Sequence, residues 1–294
     1  MSTLRARRRG RTTSQQRSSK NDPVQQQSTT SVLTRSSLAG DLRALGLAEG
    51  DAVMLHAAFR QVGTVLGGPD ALVDAVLDVI GPGGTLLSYQ DWELNVDIWD
   101  GDGRVIDALR DHVPPFDPAT ARPSRDHGII AATIGTRPGA RRSGNPGACV
   151  AAIGALADEF TAAHPLDFGY GEDSPFARLV ASGGRVLMVG APLDTMTLLH
   201  HAEHLADLPH KRRVQVEYPL ATPAGTEWRV VEEYDTAAPV VDGPPEDYFR
   251  LIVTDYLATG AGRSGLLGAA NSVLVDAAGI TSFAVSWLED RYGH

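Results

Sequence analysis

The chain has 294 residues, 43% hydrophobic and 21% charged, a composition that suits a soluble globular protein of one large domain or two small ones. No run approaches the roughly 18 consecutive apolar residues of a membrane span, and the first residues lack the apolar stretch of a secretory signal, so the expected compartment is the cytoplasm. The lone Cys149 excludes an intramolecular disulfide and an all-cysteine metal site within one chain, and the net charge of −10 argues against nucleic acid as a partner.

That charge is unevenly divided. Residues 1–31 carry seven bases (Arg5, Arg7, Arg8, Arg9, Arg11, Arg17, Lys20) against Asp22, so this segment is +6 and the remainder −16. Rich in Ser, Thr and Gln and nearly devoid of large apolar residues, 1–31 is expected to be a disordered basic tail, with 32–294 the folded domain. Thr34 or Ser36 can cap a helix carrying Leu38, Leu42 and Leu45, and 52–56 reads as a short buried strand. Gly67-Gly68-Pro69 opens a second helix, stopped by the glycines at 81–84 before a strand at 85–89. The stretch 92–137 is irregular and proline-containing, and long irregular loops are often functional. Beyond it come a helix at 173–181, a strand at 185–190, a helix at 194–208 and two alternating strands at 212–218 and 226–233. Helices at about 245–258 and 275–289 flank a Gly-rich stretch. The pattern predicts an α/β fold, a central mixed sheet flanked by helices.

The strongest local feature is Leu199-His200-His201-Ala202-Glu203-His204, which on a helix puts His200, Glu203 and His204 on one face. H-x-x-E-H fits a zinc-hydrolase signature, a metal-free site in which one histidine takes a proton, or a polar helix face. Other segments are weaker alone. Gly67-Gly68 before a helix can present backbone N–H groups to a phosphate or be only a turn. Arg141-Arg142-Ser143 offers guanidinium groups for phosphates or is surface charge. Ser174-Pro175 reads first as a helix cap, and Cys149 as core. Asp91, Glu93 and Asp117, beside Trp92 in the irregular stretch, and Glu232, Glu233 and Asp235 after the late strand are ordinarily just solvated acids, but would suit a polyammonium ligand if clustered in one cleft.

The order of these motifs resembles the aminoglycoside 3-N-acetyltransferase family from about residue 35 to the C-terminus. The segments are Met54-Leu55-His56-Ala57-Ala58-Phe59-Arg60 through Gly67-Gly68, Phe116-Asp117-Pro118-Ala119-Thr120, Arg141-Arg142-Ser143-Gly144-Asn145-Pro146, Ser174-Pro175, Leu199-His200-His201-Ala202-Glu203 and Glu233-Tyr234-Asp235. The resemblance implies an α/β fold distinct from the small acetyltransferase fold. It implies acetyl transfer from acetyl-CoA to the 3-amino group of 2-deoxystreptamine aminoglycosides, giving antibiotic resistance, without a metal. It assigns His200 as general base with Glu233 as its partner. Acetyl-CoA contacts are expected from His56, Ala57, Ala58, Phe59, Arg60, Gly67, Gly68, Arg142, Ser143 and Ser174. Trp92, Glu93, Asp117, Glu203 and Asp235 are expected to hold the antibiotic, in a monomer or homodimer that binds no membrane. Two positions depart from the family pattern in the expected acyl-donor region: Ala58 stands where serine is usual, and Asn145 where histidine is usual. The alternatives are a zinc-dependent hydrolase using His200, Glu203 and His204, and a non-catalytic aminoglycoside binder.

Overall fold

The computed structural model describes residues 32–92, 94 and 96–293; the expectations for the 1–31 tail and for Glu93 lie outside the described residues. Thr34 caps α1 (Arg35–Leu45), its hydroxyl accepting from the Ser37 N–H, and Gly46 ends the helix in the left-handed region. β1 (Ala52–Ala57), α2 (Gly68–Ile80) and β2 (Thr85–Tyr89) form the anticipated strand, helix, strand unit. After the irregular stretch come α3 (Gly128–Gly135), β3 (Arg141–Arg142), β4 (Val150–Gly154), α4 (Ala157–Thr161), α5 (Pro175–Ala181) and β5 (Arg185–Val189). The chain closes with α6 (Leu198–Leu205), β6 (Arg213–Thr222), β7 (Gly225–Tyr234), α7 (Tyr248–Ala258), β8 (Arg263–Leu267), β9 (Ala270–Asp276) and α8 (Ala277–Tyr292).

Seven strands form one mixed sheet in the order β3-β4-β2-β1-β5-β9-β8, and β6 and β7 pair as a separate hairpin. Only β2, β1 and β5 run parallel; β3, β4, β8 and β9 pair antiparallel. Because successive side chains alternate faces, each central strand feeds two cores. Val53, Leu55, Leu86, Leu187 and Val189 pack under α1, α2 and α3. Met54, Leu87, Val186 and Met188 pack against helices α4 to α8 on the other face. Burial on both faces is why these strands read as unbroken apolar runs. The irregular stretch has its own core, in which Trp92, Ile98, Val105, Phe116 and Cys149 pack against Tyr218, Leu220 and Trp228 of the hairpin.

Two expectations change. The helix at 194–208 is broken into a 3₁₀ turn, Leu193–Thr195, and the shorter α6, because Met196 between them leaves the helical region at φ −73° and ψ 86°. The Gly-rich stretch before the last helix is the β8–β9 hairpin, and the last helix starts only at Ala277, capped by Asp276. Cys149, read as core, is buried in the short run that leads into β4.

Candidate active site

The parallel strands β1, β2 and β5 end side by side, and a cleft of about 1190 Å³ opens beyond their carboxyl ends. Open α/β sheets characteristically place ligands there. One wall is the segment Leu55–Gln61 with residues 122–132 and Thr136, and it carries the exposed cations Arg60, Arg122 and Arg125. The other wall is Ala191, Pro192, Asp194, Thr195, Thr197, His200 and Phe249; Tyr89 lies at the floor from the end of β2. The expected group His56, Ala57, Ala58, Phe59 and Arg60 thus shares one cleft with His200.

His200 lies in the first turn of α6, whose neighbours Leu198, Leu199, His201 and Ala202 are buried and fix the helix rotation. Its ring sits between Tyr170 (centroids 5.1 Å) and Phe249 (4.9 Å). Its Nδ1 lies 2.6 Å from Oε2 of Glu203, which is only 2% exposed, and the other carboxylate oxygen accepts from the Tyr248 hydroxyl. That hydroxyl's proton is held tightly, since burial and the Glu203 charge both push the Tyr248 pKa up. With Nδ1–H donated to a carboxylate, Nε2 is left with its lone pair, the arrangement of a base oriented by a third group.

The expected pairing of His200 with Glu233 is not the one the structure makes. Glu233 Oε1 is 2.8 Å from Nε2 of His204, one turn further along α6, and also accepts from the Tyr234 N–H. Glu203, expected at the antibiotic, is instead the buried partner of His200 with both oxygens engaged. The zinc reading needs His200 and His204 on one ion, yet each histidine has its own carboxylate. Among the described residues no group of three or more His, Cys, Asp or Glu side chains could hold a metal ion. His201 turns inward and meets the Tyr170 carbonyl at 2.7 Å.

A second histidine pair belongs to the cleft. His127 closes a 3₁₀ turn, Arg125–His127, at the start of α3; its Nε2 contacts Oδ1 of Asp91 and its ring stands edge-on to Tyr89 at 4.7 Å. Asp91 was visible as an acid in the irregular stretch; His127, in an Arg-Asp-His run, carried no motif. His56, which also lines the cleft, has its pKa lowered from 6.5 to about 4 by burial and by the nearby His127, so it is neutral near pH 7.

The remaining expected residues are elsewhere. Gly67 and Gly68 have φ of 89° and 64°, a backbone requirement for glycine, and do not line the cleft. The Arg142 guanidinium faces protein, each of its three nitrogens donating one hydrogen bond, to the carbonyls of Ala121 and Gln90 and to Cys149 Sγ, and Arg142 does not line the cleft. Ser143 is buried between His164 and the Val150 N–H, and Ser174 caps α5 through the Ala177 N–H. Trp92 is in the core of the irregular segment. Asp117 and Asp235 accept local backbone N–H groups, from Ala119 and Ala237, and also lie outside the cleft lining. Asn145, 2% exposed, donates to the carbonyls of Pro165 and Leu166 and accepts from the N–H groups of Gly147 and Ala148. It is an interior strut, away from the cleft. Ala58 does line the cleft, at the start of the 3₁₀ turn Phe59–Gln61, which has no side-chain cap.

A family model described as aminoglycoside 3-N-acetyltransferase matches residues 54–289. The curated aminoglycoside N(3)-acetyltransferase III of Pseudomonas aeruginosa is 45% identical over 265 residues, covering 88% of this chain and 95% of that one. Among solved structures, AAC-IIIb in a binary complex with CoASH is 60% identical with a TM-score of 0.88, covering 90% of this chain and 98% of the other. AAC-VIa bound to sisomicin is 37% identical with a TM-score of 0.84, over 90% of this chain and 100% of the other.

Proposed function

The chain belongs to the aminoglycoside 3-N-acetyltransferase family, and from that premise we propose that it moves an acetyl group from acetyl-CoA to the 3-amino group of 2-deoxystreptamine aminoglycosides, conferring resistance, with His200 as general base. The observation that carries the mechanistic part is the Tyr248–Glu203–His200 chain ending in a cleft. An aminoglycoside amine is mostly protonated near neutral pH, and it becomes a nucleophile only on losing a proton. Nε2 of His200 accepts that proton, and the Glu203 carboxylate steadies the imidazolium. The thioester of acetyl-CoA supplies the acyl group, so no residue of the chain need be acylated.

The cleft fits such a donor. Its volume suits a long ligand, and Arg60, an expected acetyl-CoA contact, is joined there by Arg122 and Arg125 to offer phosphate-binding charge, whereas Arg142 lies outside the lining. Carboxylates of Asp126 and Asp194 lie on the same walls and suit the antibiotic's other ammonium groups. The −16 of residues 32–294 favours the arrival of a polycation. Among the described residues no helix is long and apolar enough to cross a membrane; action in the cytoplasm, where acetyl-CoA is made, is part of the same proposal. The test is thiol release from acetyl-CoA with a panel of gentamicin-, kanamycin-, neomycin- and apramycin-type drugs, the product being assigned by NMR. Release with acetylation at the 3-amino nitrogen is expected. Drug retention without release would leave only a binder.

A further inference from the structure

The mechanism above uses one of the two histidine–carboxylate pairs in the cleft. The other, His127–Asp91, is 36 residues apart in sequence and is brought together by the fold, and both side chains are about a quarter exposed, at 25% and 29%. Asp91 engages Nε2, so the remaining ring nitrogen, Nδ1, makes no hydrogen bond among the described residues while the ring lines the cleft. Tyr89 holds the ring edge-on, and its hydroxyl meets that of Tyr170 at 2.6 Å; Tyr170 in turn packs against His200. The two histidines therefore stand at opposite ends of one tyrosine pair. They also stand on different walls. The lining beside His127 carries Arg122 and Arg125, which suit an anionic donor, with Asp126 between Arg125 and His127, and the lining beside His200 carries Asp194, which suits a cation.

Transfer of an acyl group needs two proton movements. The amine gives one up, and the departing alkanethiolate, whose thiol has a pKa near ~8.5 if it behaves as a cysteine side chain, leaves better when it receives one. We propose that His127, held by Asp91, is the general acid of the reaction, donating its Nδ1 proton to the departing sulfur. The bond from nitrogen to the acyl carbon forms and the C–S bond breaks with its electron pair going to sulfur. The ammonium proton first passes by way of Nε2 of His200 to water, leaving the neutral amine; as that amine attacks, its second proton ends on His200, the proton from His127 ends on the thiol, and both histidines return to their starting states by exchange with water. Asp91 fixes the ring of His127 through Nε2, while His56, which lines the same cleft, stays neutral near pH 7.

This inference rests on the acetyl-transfer reading, and wild-type thiol release serves as the control that separates the two: no release by the wild type fails that reading, whereas an unaffected variant fails only this one. His127→Gln is expected to lower kcat about 10²-fold, with KM for acetyl-CoA and for the drug held within about twofold, and Asp91→Asn to lower it less. In His127→Ala, added imidazole is expected to restore turnover in proportion to its protonated fraction, a response that a packing role would not give. The proposal is overturned if His127→Gln keeps kcat within about threefold, if the loss lies in KM alone, or if imidazolium restores nothing, whether or not the melting temperature has fallen.

Discussion

Replacing Glu203 by Gln tests the pairing that distinguishes this site from the one expected from sequence. The amide is nearly isosteric: its oxygen can still accept from Nδ1 of His200 and its NH₂ can face the Tyr248 oxygen, so the buried contacts survive and only the charge is lost. The charge matters most when His200 becomes an imidazolium. A hydrogen bond to an ionised partner contributes about 1.5–3 kcal/mol against about 0.5–1.5 for a neutral one, and the midpoints of those ranges set the lower figure for the loss at about 1.2 kcal/mol. Charges about 4 Å apart at an effective dielectric constant near 20 interact by about 4 kcal/mol, which sets the upper one. At about 1.4 kcal/mol per decade the expected fall in kcat is about 10²-fold, within a range of roughly 10- to 10³-fold. Steady-state thiol release would show it as a change in kcat with KM nearly constant, and thermal melting would show an intact fold. Glu233→Gln, which touches His204, is expected to cost at least about tenfold less. A Glu203→Gln enzyme within about twofold of wild type, or one less impaired than Glu233→Gln, would refute the assignment.

Other outcomes follow from the same contacts. Asn145→Ala strands two carbonyls and two N–H groups in the interior and is expected to cost at least about 2 kcal/mol of stability, read as a lower urea midpoint, while kcat at low temperature stays near normal. His164, hydrogen-bonded to Ser143 and the Gly169 carbonyl, has its pKa lowered by burial from 6.5 to about 4. Its folded-state pKa lies below the unfolded value, so its contribution is complete above about pH 6.5 and is lost as pH falls towards 4, by up to roughly 3 kcal/mol. Urea midpoints measured from pH 7 to 4 should fall, and His164→Gln should flatten that fall. A chain beginning at Val32 keeps the Leu33–Thr64 hydrogen bond and the Thr34 cap, so its melting temperature and kcat are expected to match the full chain.

Local signals carried the sequence reading where one element suffices. The Thr34 cap, the glycines that bound α2, the Ser174-Pro175 start of α5 and the apolar runs of β1, β2 and β5 are all statements about neighbours in the chain. The β8–β9 hairpin was hidden because the apolar residues of β9 run straight into α8, and a buried strand and a helix start look alike at that length. The site divides in the same way. A helical face brings His200, Glu203 and His204 together, but which carboxylate each ring meets is decided by Tyr248 on α7 and by β7, both far away in sequence. Arg142 and Asn145 matched motif positions, yet Arg142 donates to the Ala121 and Gln90 carbonyls and Asn145 to those of Pro165 and Leu166, groups that only the folded chain brings near. His127 and Asp91 carried no local signal of their meeting.

The central claim is that His200 takes the proton from the amine, and the most direct measurement is kcat of His200→Ala for thiol release from acetyl-CoA with an aminoglycoside that the wild type accepts. The account predicts a fall of about 10²-fold or more in a protein that melts as the wild type does. Turnover within a few-fold of wild type would contradict it.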